Sequence, residues 1–269
     1  MQRDTIIFSG QSNTFGLGLE WELDDELNSE EYLSKGVKIP IPRHNHYQKY
    51  WKQHRWTKLV CEELGLKEYN VHDEENRSIM GAGAADTLWH IIKRTDELKD
   101  ILDKTKYIVL EIGYIRWWDE NLHGKDGGDK LPNTAIEIDE YLNSKNPNKE
   151  VVAAAINWIG KYDAKLFWEE TYRNLIQFQT DFPDIKIILI PWSSEILKYQ
   201  LYNNILKDCY VDVDKYESIN HFLLENKLKV YHKAKAFNGN YEYNHIDDHA
   251  SVEGHAKIAN MVVNHIKKL

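Results

Sequence analysis

The chain has 269 residues, is 42% hydrophobic, and carries 34 Lys+Arg against 43 Asp+Glu, a formal net charge of -9 at pH 7. That length supports one sizeable core, and the acidic balance excludes nonspecific attraction to nucleic acid or to anionic membrane surfaces as the basis of function. Cys61 and Cys209 are the two cysteines, too few for a disulfide framework or a zinc pattern.

No stretch approaches the roughly 18 consecutive apolar residues of a membrane span. The amino terminus enters a strand-like run within a few residues, without the basic and then apolar layout of a secretory signal. The expectation is a soluble chain, cytoplasmic or virion-associated.

In chain order, Thr5-Ile6-Ile7-Phe8-Ser9 reads as a buried strand that breaks at Gly10. Residues 20–46 are polar and acidic and end in Ile39-Pro40-Ile41-Pro42, which cannot be a helix interior and reads as an insertion loop. A helix is expected over 47–64, a strand over 68–72, a helix over 84–98 and a strand over 106–112. Residues 117–135, with Gly124, Gly127 and Gly128, form a second long loop. Helices near 148–159 and 163–181 precede a strand at 185–190 that Pro191 stops. A helix at 213–226 and a short fifth strand at 229–232 follow.

The last helix is marked by Val252, Ala256, Ala259, Val263 and Ile266 at helical spacing, which leaves Asp247, Asp248 and His249 in the loop before it. Asp247, Asp248 or Ser251 could each cap that helix. The alternation of strands and helices predicts one α/β domain over 1–269, with a parallel sheet of about five strands between helical layers and the first strand in its interior.

Chemistry gathers at the two ends of the chain. Ser12 follows the first strand, at the carboxyl end where open α/β sheets place their ligands. Gly-Gln-Ser-Asn-Thr also has the composition of a turn and helix cap. A serine hydroxyl needs a base, and an imidazole with a carboxylate to orient it supplies one. His249 with Asp247, or with Asp248, meets that need, and His255 on the helix itself reads as a packing residue. Neither His245, His249 and His255 nor the run Arg43-His44-Asn45-His46 has metal-ligand spacing.

Gly10-Gln11-Ser12-Asn13 near the start and the Asp-His segment with Gly254-His255 near the end resemble the SGNH (GDSL-type) hydrolase superfamily. The resemblance spans nearly the whole chain, and sialate O-acetylesterase-like members share the Gly-Gln-Ser-Asn block. It implies a flavodoxin-like three-layer α/β/α domain. It further implies Ser12 as nucleophile, His249 as base, Asp247 as the acid, and backbone N–H groups of Ser12 and Gly81 as oxyanion donors. Gly81 is carried over from the block Asn76-Arg77-Ser78-Ile79-Met80-Gly81.

The sequence departs from the family at Gln11, where the family often has Asp, and in two further places. The third block, normally Gly-x-Asn-Asp, reads Gly113-Tyr114-Ile115-Arg116, so the side-chain oxyanion donor is replaced by Ile115. The family also often spaces the acid three residues before the histidine, where this chain has Ile246. Losing one oxyanion donor costs about 2.7–4 kcal/mol of transition-state stabilisation. Arg116, a permanently charged planar donor, and Asn13 are candidate substitutes.

Nine tryptophans, among them Trp117 and Trp118 directly after the third strand, supply faces that could stack on sugar rings or simply pack. The expected function is a serine esterase acting without a cofactor or metal on an O-acyl, O-acetyl above all, ester of a small molecule or glycan. The alternative is a glycan-binding or virion structural module on the same fold.

Overall fold

The computed structural model describes residues 3–10, 14, 16, 19, 52–71, 91, 94–113, 149–153, 164–192, 206–235 and 242–269. Strand β1 (Thr5–Ser9) is buried at every position. It is followed by α1 (Trp56–Leu64), β2 (Lys67–Asn70), α2 (Lys99–Leu102), β3 (Thr105–Ile112), α3 (Ala164–Asp181) and β4 (Lys186–Pro191). Then come α4 (Ile219–Glu225), β5 (Lys229–Lys235), β6 (Glu242–Ala250) and α5 (Val252–Ile266).

The first four strands form one sheet in the order β2-β1-β3-β4, and every pairing in it is parallel. Parallel neighbours need crossover connections, which is why helices alternate with these strands. Because side chains alternate across a strand, the apolar runs of β1, β3 and β4 feed two separate cores. Ile7, Ile108, Leu110, Ile112, Ile187 and Leu189 pack with Tyr172, Leu175 and Phe178 of α3. Ile6, Phe8, Tyr107, Val109, Ile188 and Ile190 pack on the opposite face with Trp56 and Val60 of α1 and with Ile258, Val262 and Ile266 of α5. The sheet is therefore covered by helices on both faces. The strand order reverses between β1 and β3, so the crevice at their carboxyl ends is the switch point where such sheets bind ligands.

Three expectations change. The helix expected over 47–64 is interrupted at Arg55, whose backbone is extended (φ -68, ψ 146), and α1 begins at the next residue. The strand expected at 229–232 is not a fifth parallel strand: β5 pairs antiparallel with β6 in a separate two-stranded sheet. The antiparallel pairing follows from connection length, since only 236–241 separate β5 from β6, whereas a parallel crossover needs about a dozen residues or more. Lastly, Asp247, Asp248 and His249 belong to β6 and not to a loop.

Pro191 closes β4 as its last residue, opposite Ile112, instead of preceding a break. The expected insertion at 20–46, the loop at 117–135 and most of the helix at 84–98 lie outside the described residues. Among those described, no helix is long and apolar enough to cross a membrane.

Candidate functional site

Three strand ends converge on one residue. Asn70 closes β2, Gly10 follows β1, and Glu111 is the penultimate residue of β3; all are buried. Thr14 is fully buried as well, and its hydroxyl donates a hydrogen bond to Glu111 Oε2. Asn70 Nδ2 donates to the Thr14 carbonyl at 3.1 Å. Gly10 makes room for this arrangement, because a Cβ there would stand 2.6 Å from Glu111 Cβ. A buried carboxyl is costly without hydrogen-bond partners, and Thr14 supplies one.

A second polar group lies on the same face of the sheet. The extended backbone at Arg55 sends its side chain, 3% exposed, to Glu68 on β2. Nη2 and Nε stand 2.9 and 3.1 Å from Glu68 Oε1, and the Thr57 hydroxyl donates to the same oxygen at 2.5 Å. Gly16 packs against this arginine: a Cβ at Gly16 would lie 3.1 Å from Arg55 Cβ, and its φ of +97 suits glycine.

The carboxyl-terminal helix brings the third group. Ser251 caps α5, its hydroxyl accepting from the Gly254 N–H at 3.0 Å, so the serine and not Asp247 or Asp248 is the cap. Gly254 permits close approach to the backbone, since a Cβ there would meet the Leu228 carbonyl at 2.5 Å. His255 is wholly buried, and its Nδ1 accepts the Trp56 N–H at 3.2 Å. Burial above all, then the charges of His249 and Arg55, pushes the His255 pKa down to about 3. The ring is neutral and carries its proton on Nε2, which has no hydrogen-bond partner among the described residues.

His249 is half-buried next to this ring. The register shows how β6 carries it. Lys229 pairs with Ala250 and Tyr231 with Ile246, so one β5 residue, Val230, stands opposite Asp247, Asp248 and His249. This is a bulge, a device that interrupts a ladder and re-aims the chain, and bulges concentrate beside active sites.

Of the residues singled out from sequence, the structure therefore places His249 within electrostatic reach of His255 and carries Asp247 and Asp248 on the bulge. Ser12, Asn13, Gly81, Arg116, Ile115, Trp117 and Trp118 lie outside the described residues. Thr14, Asn70, Glu111, Arg55 and Glu68 were not anticipated. The one legible signal was Glu111, a lone acid in an otherwise apolar strand, since a carboxylate is almost never fully buried unless paired. Among the described residues no grouping of His, Cys, Asp and Glu could hold a metal ion. Both cysteines are free, and burial raises Cys61 to about 12 and Cys209 to about 11, which keeps them as inert thiols.

Comparison of the chain with protein-family models, curated proteins and solved structures returns no match.

Proposed function

We propose that the chain is a serine ester hydrolase built on a flavodoxin-like three-layer domain of the SGNH type, acting on an O-acyl, above all O-acetyl, ester of a glycan or small molecule. One observation carries the reading: the segment after β1 and the helix that follows His249 meet the same corner of the fold, at Arg55 and Trp56. Gly16 packs on Arg55, and Arg55 and His249 both act on His255. Ser12 precedes Thr14 by two residues and Gly16 by four, and 237 residues separate it from His249. Gly16 at Arg55 and His255 at Trp56 lie on neighbouring residues, which supports a pairing of the two chain ends. The switch-point location supports it further, because polar groups are gathered at the carboxyl ends of β1 and β3.

In this reading the roles divide by environment. His255, buried and neutral with Nδ1 occupied by a backbone N–H, cannot serve as the base. His249, half-buried on the bulge, takes the Ser12 proton as the hydroxyl attacks the ester carbonyl and returns it to the leaving alcohol. Asp247 stands two residues before it on β6 and Asp248 one, and Asp247 is the proposed orienting acid. Backbone N–H groups at Ser12 and Gly81, with Arg116 or Asn13 standing in for the side chain that Ile115 lacks, would hold the oxyanion.

The test is covalent labelling with a fluorophosphonate and location of the adduct by mass spectrometry. A single adduct on Ser12, absent from Ser12→Ala, is the expected result. An intact protein that takes up no label, yet binds acylated glycans, would establish the binding module that Ile115 favours.

A further inference from the structure

The mechanism so far leaves a fully buried carboxyl unused. Glu111 lies at the switch point, 1% exposed, and it accepts a hydrogen bond from the segment that follows β1. Thr14 is held from both sides: its hydroxyl by Glu111 of β3 and its carbonyl by Asn70 of β2. The carboxyl and amide come from the two strands that flank β1, and both strands are themselves fixed to β1 by parallel ladders.

We infer that Glu111 and Asn70 clamp Thr14 and are positioning residues for the nucleophile that precedes it by two positions. This rests on the reading of Ser12 given above. The physical argument is one of precision. Reacting groups must be held near attack geometry, and misplacement by about 1 Å can cost roughly a hundredfold in rate. A side-chain tether to each flanking strand limits the freedom of the chain at Thr14. Gly10 belongs to the same device, because any side chain there would meet Glu111 and Thr14 and force them apart.

Fluorophosphonate inactivation kinetics on the full chain, separated into reagent binding and the rate of the covalent step, test the clamp. Thr14→Val keeps the shape and removes the hydroxyl, and the covalent step should slow by about ten- to a hundredfold with reagent binding unchanged. Thr14→Ser restores a hydroxyl and should recover most of the rate, which a role in packing alone would not produce. Asn70→Ala removes the second tether while keeping the Thr14 hydroxyl and should also slow the covalent step. It keeps the test open if Thr14→Val does not fold. If wild type is labelled on Ser12 while Thr14→Val or Asn70→Ala reacts as fast, the clamp is wrong and the hydrolase reading stands. If wild type is not labelled at all, both are wrong.

Discussion

The two faces of the sheet are built from the same strands but packed in different ways. On the α3 face, Ile7, Leu110, Ile187 and Leu189 meet Leu175 and Phe178, and the polar contact there is a neutral pair, Tyr210 donating to Tyr172 at 3.0 Å. On the α1 and α5 face the core is equally apolar near its centre, yet that face also carries Glu111 near the carboxyl end of β3, the Arg55–Glu68 pair and His255. Burying charged and titratable groups costs stability that hydrocarbon would not. Among the described residues, the buried carboxylate, guanidinium and imidazole groups gather on this face, the one the proposed chemistry would use.

The largest expected stability difference between the faces comes from the ion pair. Glu68→Ala removes the carboxylate from an arginine side chain that is 3% exposed and should cost about 3–5 kcal/mol, read as a shift in the urea midpoint. Replacing both partners with apolar residues of similar volume should recover most of that loss. On the other face Leu189→Ala should cost about 2–5 kcal/mol, but there a same-volume change to Met should cost under about 1.5 kcal/mol. If the double replacement at Arg55 and Glu68 is as damaging as Glu68→Ala, the pair stabilises the fold and the contrast between the faces weakens.

The next effect depends on pH. His255 takes up a proton in the unfolded chain near 6.5 and in the folded chain only near 3. Between these values the unfolded state binds more protons, so stability falls as pH drops, by about 1.4 kcal/mol per pH unit, and this contribution is flat above 6.5. His255→Asn, which keeps an acceptor for the Trp56 N–H, should remove that slope from denaturation midpoints measured between pH 6.5 and 4.5. Parallel curves for the two proteins would show that the ring titrates freely.

A smaller change concerns the helix that carries His255. Ser251→Ala removes the cap hydrogen bond to the Gly254 N–H and should lower stability by about 1 kcal/mol. A neutral result would mean that the Ser251 N–H bond to the Leu228 carbonyl at 2.8 Å already holds the helix start.

The parallel core was legible because continuous apolar runs at β1, β3 and β4 bury both faces, and the pattern Ile6-Ile7-Phe8 admits little else. The antiparallel β5–β6 pair was harder to see. Tyr243, His245, Asp247 and His249 follow no apolar alternation, and a polar strand looks like a loop when only hydrophobic pattern is read. The connection of 236–241 was the overlooked clue. The packing role of His255 was visible from its position on the terminal helix. The Arg55–Glu68 pair was not, because it depends on a backbone break at Arg55 that no glycine or proline announces. The Thr14–Glu111 bond joins residues 97 apart, and only the pairing of β1 with β3 brings them together.

The central claim is that Ser12 and His249 act as one hydrolytic unit on the polar face. Turnover of an activated acetate ester by wild type, Ser12→Ala, His249→Ala and the double variant tests it most directly. Each single variant should lose about a thousandfold or more, and the double variant should lose little beyond either one, because the two residues share one step. Asp247→Asn should cost less than either single change. Losses that multiply in the double variant, or a Ser12→Ala protein that turns over as fast as wild type, would contradict the account.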